Sequence, residues 1–250
     1  MEQTLLKSFQ KDKLTMRAYV NRTEMGKAAA ADIAACMEKL LAEKETLNMV
    51  FAAAPSQNDV LECLMAMPLP WNRVNAFHMD EYEGLSKDHP QSFGHYLDEH
   101  VFKKVPFKNV YYVADYQEAY EELMEQNPID IVCLGIGENG HIAFNDPGVA
   151  DFNDPKRIKK AKLDDVCRMQ QVHDGCFPTL NDVPKQAMTL TMSCIMSIPH
   201  AICVVPTDRK ANAIRGALEG PVTTECPASI LRRTDNVRMY IDKACAGDLI

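Results

Sequence analysis

The sequence predicts an open α/β fold, a mostly parallel sheet with helices on both faces, and three observations carry that expectation. Short, near-continuous apolar runs such as "LNMVFAAAP", "IDIVCLGI" and "AICVVP" recur along the chain. Between them lie segments with apolar residues at helical spacing. Strands buried on both faces lose the in-and-out alternation of a half-exposed sheet, and crossover helices are what bury them twice. No repeat, low-complexity tract or linker interrupts the pattern, so the 250 residues are read as one domain, 1–250.

The elements follow in order. From Thr23 to about Lys44, Met25, Ala29, Ile33, Met37, Leu40 and Leu41 recur at the period of a helix packed on one face. Leu47–Pro55 reads as a strand stopped by proline, and "SQNDVLECLMAM" as a helix with Ser, Asn and Asp available as caps. Arg73–Met79 and Val110–Val113 are strands, and Asp115-x-x-Glu118 resembles a capping box opening a helix through Gln126. Then come the strand "IDIVCLGI", the strand "RIKKAKL" with its lysines on a solvated face, and the strand "AMTLTM". The strand Ala201–Pro206, a helix from about Asp208 to Leu218 and the strand Val237–Asp242 complete the chain.

Composition removes several function classes. Lys+Arg 27 against Asp+Glu 35 leaves a formal charge of −8, and the densest basic run, Lys156 to Lys162, is an alternating strand face. No nucleic acid or anionic membrane partner is expected. The nine cysteines are odd in number and include no C-x-x-C pair, so they read as reduced core thiols. "MEQTLLKSFQKDKLTM" has no apolar leader core and no window has the length of a membrane span, which makes a cytoplasmic protein the expectation. A homo-oligomer is compatible with all of this.

Ligands of such sheets lie outside the carboxyl ends of the strands. That rule selects the turns Ala54–Asp59, Met79–Leu85, Gly135–Gly148 and Pro206–Lys210. The third contains Gly135-x-Gly137-x-x-Gly140, the spacing of a dinucleotide turn. That fingerprint needs a helix beginning at the third glycine, and here Asn145-Asp146-Pro147-Gly148 stops any helix after about one turn. Asp164 stands where a ribose acid is wanted, but Pro147, Gly148 and Pro155 leave no crossover helix before it. No nicotinamide or flavin is expected, and the glycines are read as letting a small ligand approach the backbone.

His141 leaves this turn directly after a buried strand, with Asp146 five residues on and able to fold back on the imidazole. Asp80 and Glu81 end another strand, and either carboxylate suits a general base on a carbon acid. His78, Asp80 and Glu81 lack a second cluster at ligand spacing, and His95 and His100 fall five apart, so no catalytic metal is expected. Ser56 and Gln57 open a helix beside a strand end, where free amides and a hydroxyl suit an anion. Arg209 and Lys210 begin a second such helix, and Arg168 is a further cation candidate.

The segments "FHMDEYEGLSKDHPQSF", "LGIGENGHIAFNDPG", "DVPKQAMTLTM", "RKANAIRGALEG" and "CPASIL" together resemble the glucosamine-6-phosphate deaminase (isomerase) family, related to the 6-phosphogluconolactonases. The resemblance implies a modified Rossmann-like sheet with no cofactor, and a metal-independent reaction on a sugar-phosphate substrate. It gives Asp80 the role of the base that moves the C2 proton to C1. His141 handles the ring-oxygen proton, Asn139 and Asp146 support that histidine, and Lys210 contacts phosphate. Gly137 shapes the glycine turn against the substrate. Two departures stand out: the family usually has Glu at the position of Asp146, and its phosphate-binding arginine falls at Gly175. The Gly/Thr-rich phosphate turn of many members reads "AAAPSQND" here, with Arg168 or Arg209 as compensating cations. The lactonase branch usually has Thr-Ala-Ser after the loop histidine and Asp-Glu-Arg at the second turn. This chain has "HIAF" and "DEY", which favours deamination over lactone hydrolysis or a non-catalytic sugar-phosphate sensor.

Overall fold

The computed structural model describes residues 4–249. Its main sheet has eight strands: β1 (Leu5–Lys11), β2 (Leu14–Tyr19), β3 (Leu47–Phe51), β4 (Val74–His78), β6 (Asn109–Tyr111), β7 (Ile131–Leu134), β10 (His200–Val205) and β11 (Val237–Asp242). Their spatial order is β1-β2-β11-β10-β7-β3-β4-β6, parallel throughout except for the β1/β2 hairpin. A second, antiparallel sheet has the order β5 (Asp80–Tyr82), β9 (Gln186–Leu190), β8 (Ile158–Lys162).

The hairpin has no counterpart among the strands expected from sequence. Leu14, Met16 and Ala18 of β2 alternate into the core, while β1 is an edge strand whose side chains are mostly exposed. An edge strand with one wet face lacks the continuous apolar run that identifies the inner strands.

Helices cover both faces of the main sheet. Alternate residues of one strand serve different cores, since successive side chains leave opposite faces. Leu47, Met49 and Phe51 of β3 pack with α1 (Arg22–Leu41) and α2 (Asn58–Met65), whereas Val50 joins the opposite cluster. That second cluster takes in α5 (Tyr120–Gln126), α7 (Met192–Ser197) and α8 (Ala211–Glu219). Full burial of a side chain such as Phe51 contributes about 1.5–3 kcal/mol. The remaining helices are α3 (Phe93–Leu97), α4 (Val113–Tyr116), α6 (Asp165–His173) and α9 (Lys243–Ala246).

Two expected caps do not form. Asp115 lies inside α4, and the chain breaks at Gln117, φ 51°, before α5 begins, so Asp115-x-x-Glu118 is not a capping box. At α2 no side chain caps the amino end; Asp59 instead takes the Arg22 guanidinium and Asn58 accepts from the Tyr96 hydroxyl. Long-range partners win these groups from the local backbone.

The topology fixes where a ligand can sit. After β3 the chain moves outward to β4 and β6, while after β7 it moves the other way to β10 and β11. Neighbours β3 and β7 therefore bound a switch point, and the loops leaving their carboxyl ends part to leave a crevice. The small sheet lies at that end of the domain and delivers Asp80 to it. Among the described residues no helix is long and apolar enough to cross a membrane.

Candidate active site

The crevice is lined by Ala52–Ala54 and Ser56 after β3, by Asp80 and Phe93, by Gly135–Gly137, His141 and Phe144 after β7, and by Gln170 and Gln171 of α6. Asp80 and His141 face the same hollow. β5 separates Asp80 from Glu81, because neighbouring strand residues point to opposite faces. Glu81 turns away from the crevice and accepts the backbone N–H groups of Tyr82, Phe93 and Gly94 at 2.9, 3.1 and 2.9 Å, anchoring the start of α3. The carboxyl of Asp80, a residue only 6% exposed, makes no side-chain hydrogen bond among the described residues. Burial, reinforced by the charge of Glu81, pushes its carboxyl up to about 8. An unpartnered carboxylate of raised basicity is what proton abstraction from carbon needs.

His141 is oriented by a chain of polar contacts. The Asn139 amide donates through Nδ2 to Asp146 Oδ1 and Asp164 Oδ2, both at 3.1 Å. Its Oδ1 is thereby turned to His141, accepting the backbone N–H at 3.0 Å and lying 2.6 Å from Nδ1. Asp146 Oδ1 is 3.1 Å from the same nitrogen. Two acceptors at Nδ1 place the ring hydrogen there and leave Nε2 with a lone pair for proton transfer. Gly137 makes room for the ring. A Cβ at that position would lie 2.0 Å from His141 Cε1, so only glycine allows the imidazole to rest on the turn.

Asp146 is fully buried. Burial works to raise its pKa, but the hydrogen bond and charge of His141, the Asn139 amide and the Asp164 N–H outweigh it, and the carboxyl sits below its ordinary value. Such a group adds stability above the unfolded carboxyl pKa, and that stability is lost as pH falls through the folded value. Asp146→Asn is therefore expected to flatten the acid limb of stability below pH ~4, measured by urea unfolding at several pH values. An unchanged acid limb would show that the carboxylate is not held as described.

Cys167 Sγ lies with His141 and Asp146 in a group whose donor atoms fall within 4.8 Å of one another. Burial and the charges of Asp146 and Asp164 hold the Cys167 thiol well above its usual pKa. A buried thiol held in its neutral form is a poor metal ligand.

Several candidate residues stand elsewhere. Gln57 is fully buried and does not line the crevice; its Nε2 donates to Val204 O at 3.1 Å and Ser56 Oγ at 3.3 Å, steadying the Ser56 turn. Arg168, expected as an anion-binding cation, lines neither the crevice nor the pocket that holds Lys210. Its guanidinium is buried against the Leu180 and Val183 carbonyls at 2.6 and 3.1 Å and pairs with Asp165, because α6 turns it inward to pin the segment before β9. Lys210 lines a second pocket of about 240 Å³, which shares Ser56 with the crevice and also includes Arg22, Glu138, His173, Asp174 and Arg209. Gly175, left-handed at φ 79°, closes α6 and carries no side chain toward it.

Sequence reasoning missed Phe93, Phe144, Gln170 and Gln171. Phe93 and Phe144 stack at 5.6 Å between ring centroids and form an apolar wall. The adjacent amides in "CRMQQVH" were the available signal, being polar on the buried face of a helix.

A family model described as glucosamine-6-phosphate isomerases/6-phosphogluconolactonase matches residues 20–240. The chain belongs to this family. It is 38% identical over 217 residues to a glucosamine-6-phosphate deaminase of Exiguobacterium sibiricum, covering 84% of each protein. A deaminase of Lactobacillus delbrueckii subsp. bulgaricus is 31% identical over 234 residues, 91% of this chain and 96% of that one. Among solved structures, a monomeric glucosamine-6-phosphate deaminase superposes with a TM-score of 0.83 at 26% identity, over 92% of this chain and 98% of that one. The fold is shared with a 6-phosphogluconolactonase of Thermotoga maritima, TM-score 0.72 at 20% identity, over 92% of this chain and all of that one. The expected fold and the expected family therefore stand.

Proposed function

We propose that the crevice isomerises and deaminates an amino-sugar phosphate, converting glucosamine 6-phosphate to fructose 6-phosphate and ammonia. The observation that carries this reading is the pair in one hollow: Asp80, unpartnered and of raised basicity, and His141, with its hydrogen on Nδ1 and Nε2 free. His141 Nε2 takes the anomeric hydroxyl proton and returns it to the ring oxygen as the C1–O5 bond breaks. Asp80 then removes the C2 proton, and the aldehyde oxygen gains, through His141 Nε2, a proton from the substrate's own C2 ammonium group, giving a neutral enolamine. Asp80 returns its proton to C1. The electron pair of the substrate nitrogen forms the C2 iminium, water adds there, and both protons of that water pass to the nitrogen, which leaves as the ammonium form of ammonia. Every proton removed is given back, so the two side chains suffice.

A lactone hydrolase would use His141 to activate water but would have no task for a strong base aimed at carbon. A sugar-phosphate sensor would have no use for either proton carrier. The test is a coupled ammonia-release assay over hexosamine 6-phosphates and their unphosphorylated parents, with and without EDTA. Ammonia and ketose from glucosamine 6-phosphate, insensitive to chelator, are expected. Rapid lactone hydrolysis without ammonia would replace this reading by the hydrolase, and binding without any turnover by the sensor.

A further inference from the structure

The pocket around Lys210 has an uncommon charge pattern for a site that must hold a phosphate. Lys210 is 6% exposed, and its ammonium group makes no hydrogen bond or ion pair among the described residues. Burial lowers its pKa, while Asp174 and Glu138 work to raise it, so both carboxylates act on the same ammonium group. Arg22 is already committed to Asp59 and the Pro55 carbonyl. Of the remaining charged side chains in the lining, the cations Lys210 and Arg209 are matched in number by the carboxylates Glu138 and Asp174.

Glu138 supplies the second observation. Its Oε2 lies 3.5 Å from His173 Nδ1, and its backbone N–H donates to Gln170 Oε1 at 2.9 Å, which fixes the loop. Its other oxygen, Oε1, is buried with no hydrogen-bond partner among the described residues. A buried carboxylate oxygen left unpaired is costly unless a ligand brings it a donor. The pocket thus offers, in one lining, an ammonium without a partner and a carboxylate oxygen without a donor.

We propose that this pocket selects the protonated, singly charged form of a phosphate monoester: Lys210 pairs with a P–O⁻ oxygen, and Glu138 accepts the hydrogen of the P–OH group. A dianion has no hydrogen to give and meets Glu138 as a like charge. The proposal rests on the deaminase reading only in taking this pocket as the place of the substrate's phosphate, and it is tested by binding alone.

The probe is 2-amino-2-deoxyglucitol 6-phosphate, which has no carbonyl to react, compared with its 6-sulfate by calorimetry from pH 5.5 to 8. A phosphate monoester loses its second proton near pH ~6, so the competent form falls from about half at pH 6 to about one part in 100 at pH 8. Affinity for the phosphate is expected to weaken about 50-fold across that interval. The sulfate, which has no proton to offer, is expected to bind weakly and with little pH dependence. In Glu138→Gln, whose amide can donate, the phosphate slope should flatten and sulfate affinity should rise. The proposal is overturned if sulfate binds the wild type as well as phosphate does, or if the phosphate slope is absent. It is equally overturned if the sulfate shows the same slope, which would place the titration on the protein and not on the ester, or if a folded Glu138→Gln keeps the slope. Should that variant not fold, the wild-type comparison of the two esters still decides. If no ammonia is released in turnover assays while this binding pattern holds, the deaminase reading fails and the selectivity stands.

Discussion

Asp80→Asn should lower kcat on a hexosamine 6-phosphate by about 10³-fold and abolish exchange of the C2 hydrogen with solvent, while substrate still binds. The amide keeps the shape of the carboxyl, and a group with a pKa near 8 is mostly protonated at neutral pH, so the change removes basicity more than it alters the hollow. The wild-type rate should climb with pH as the carboxyl ionises through about 8, and the residual rate of the variant should lack that limb. Stability runs the opposite way. The folded pKa lies above the ordinary carboxyl value of 3.8, so the stabilising effect of the protonated carboxyl is complete below that value and lost as pH rises to about 8. The variant should therefore outlast the wild type in thermal unfolding at pH 8. Exchange at C2 that survives the substitution would remove Asp80 from the role of base.

Gly137→Ala should reduce kcat by about 10²-fold with the fold retained, the scale expected when a catalytic group is misplaced by about 1 Å. The added methyl group and the His141 ring cannot occupy the same space, at 2.0 Å from Cε1, and the backbone has little freedom to yield because the Gly137 N–H donates to the His141 carbonyl at 2.9 Å. The imidazole must leave the turn and with it the acceptors on Asn139 and Asp146. Circular dichroism and melting temperature would establish that the fold survives. Full activity in a folded variant would show that the ring does not rest on this glycine during catalysis.

Much of this architecture was legible because inner parallel strands and their crossover helices are written in local patterns. The apolar runs at β3, β7 and β10 and the helical spacing of α1 needed no tertiary information. What escaped depended on distant partners. Hairpin β1/β2 shows its pattern only when β11 is beside it, and Asp59 gave up a cap for Arg22. The site divides the same way. Asp80 and His141 lie at strand ends, where topology alone predicts chemistry, whereas Arg168 was a plausible anion ligand until α6 turned its guanidinium to the Leu180 and Val183 carbonyls. Gln170 and Gln171 reach the crevice only through the packing of α6.

The seam between β2 and β11 bears on how the molecule is made. Residues Thr15–Tyr19 pair with Arg238–Asp242, so an early segment must wait for a late one to emerge from the ribosome before the sheet can close. Until then β10 presents an open flank of unpaired backbone groups, a template for wrong pairing that the late arrival of β11 removes.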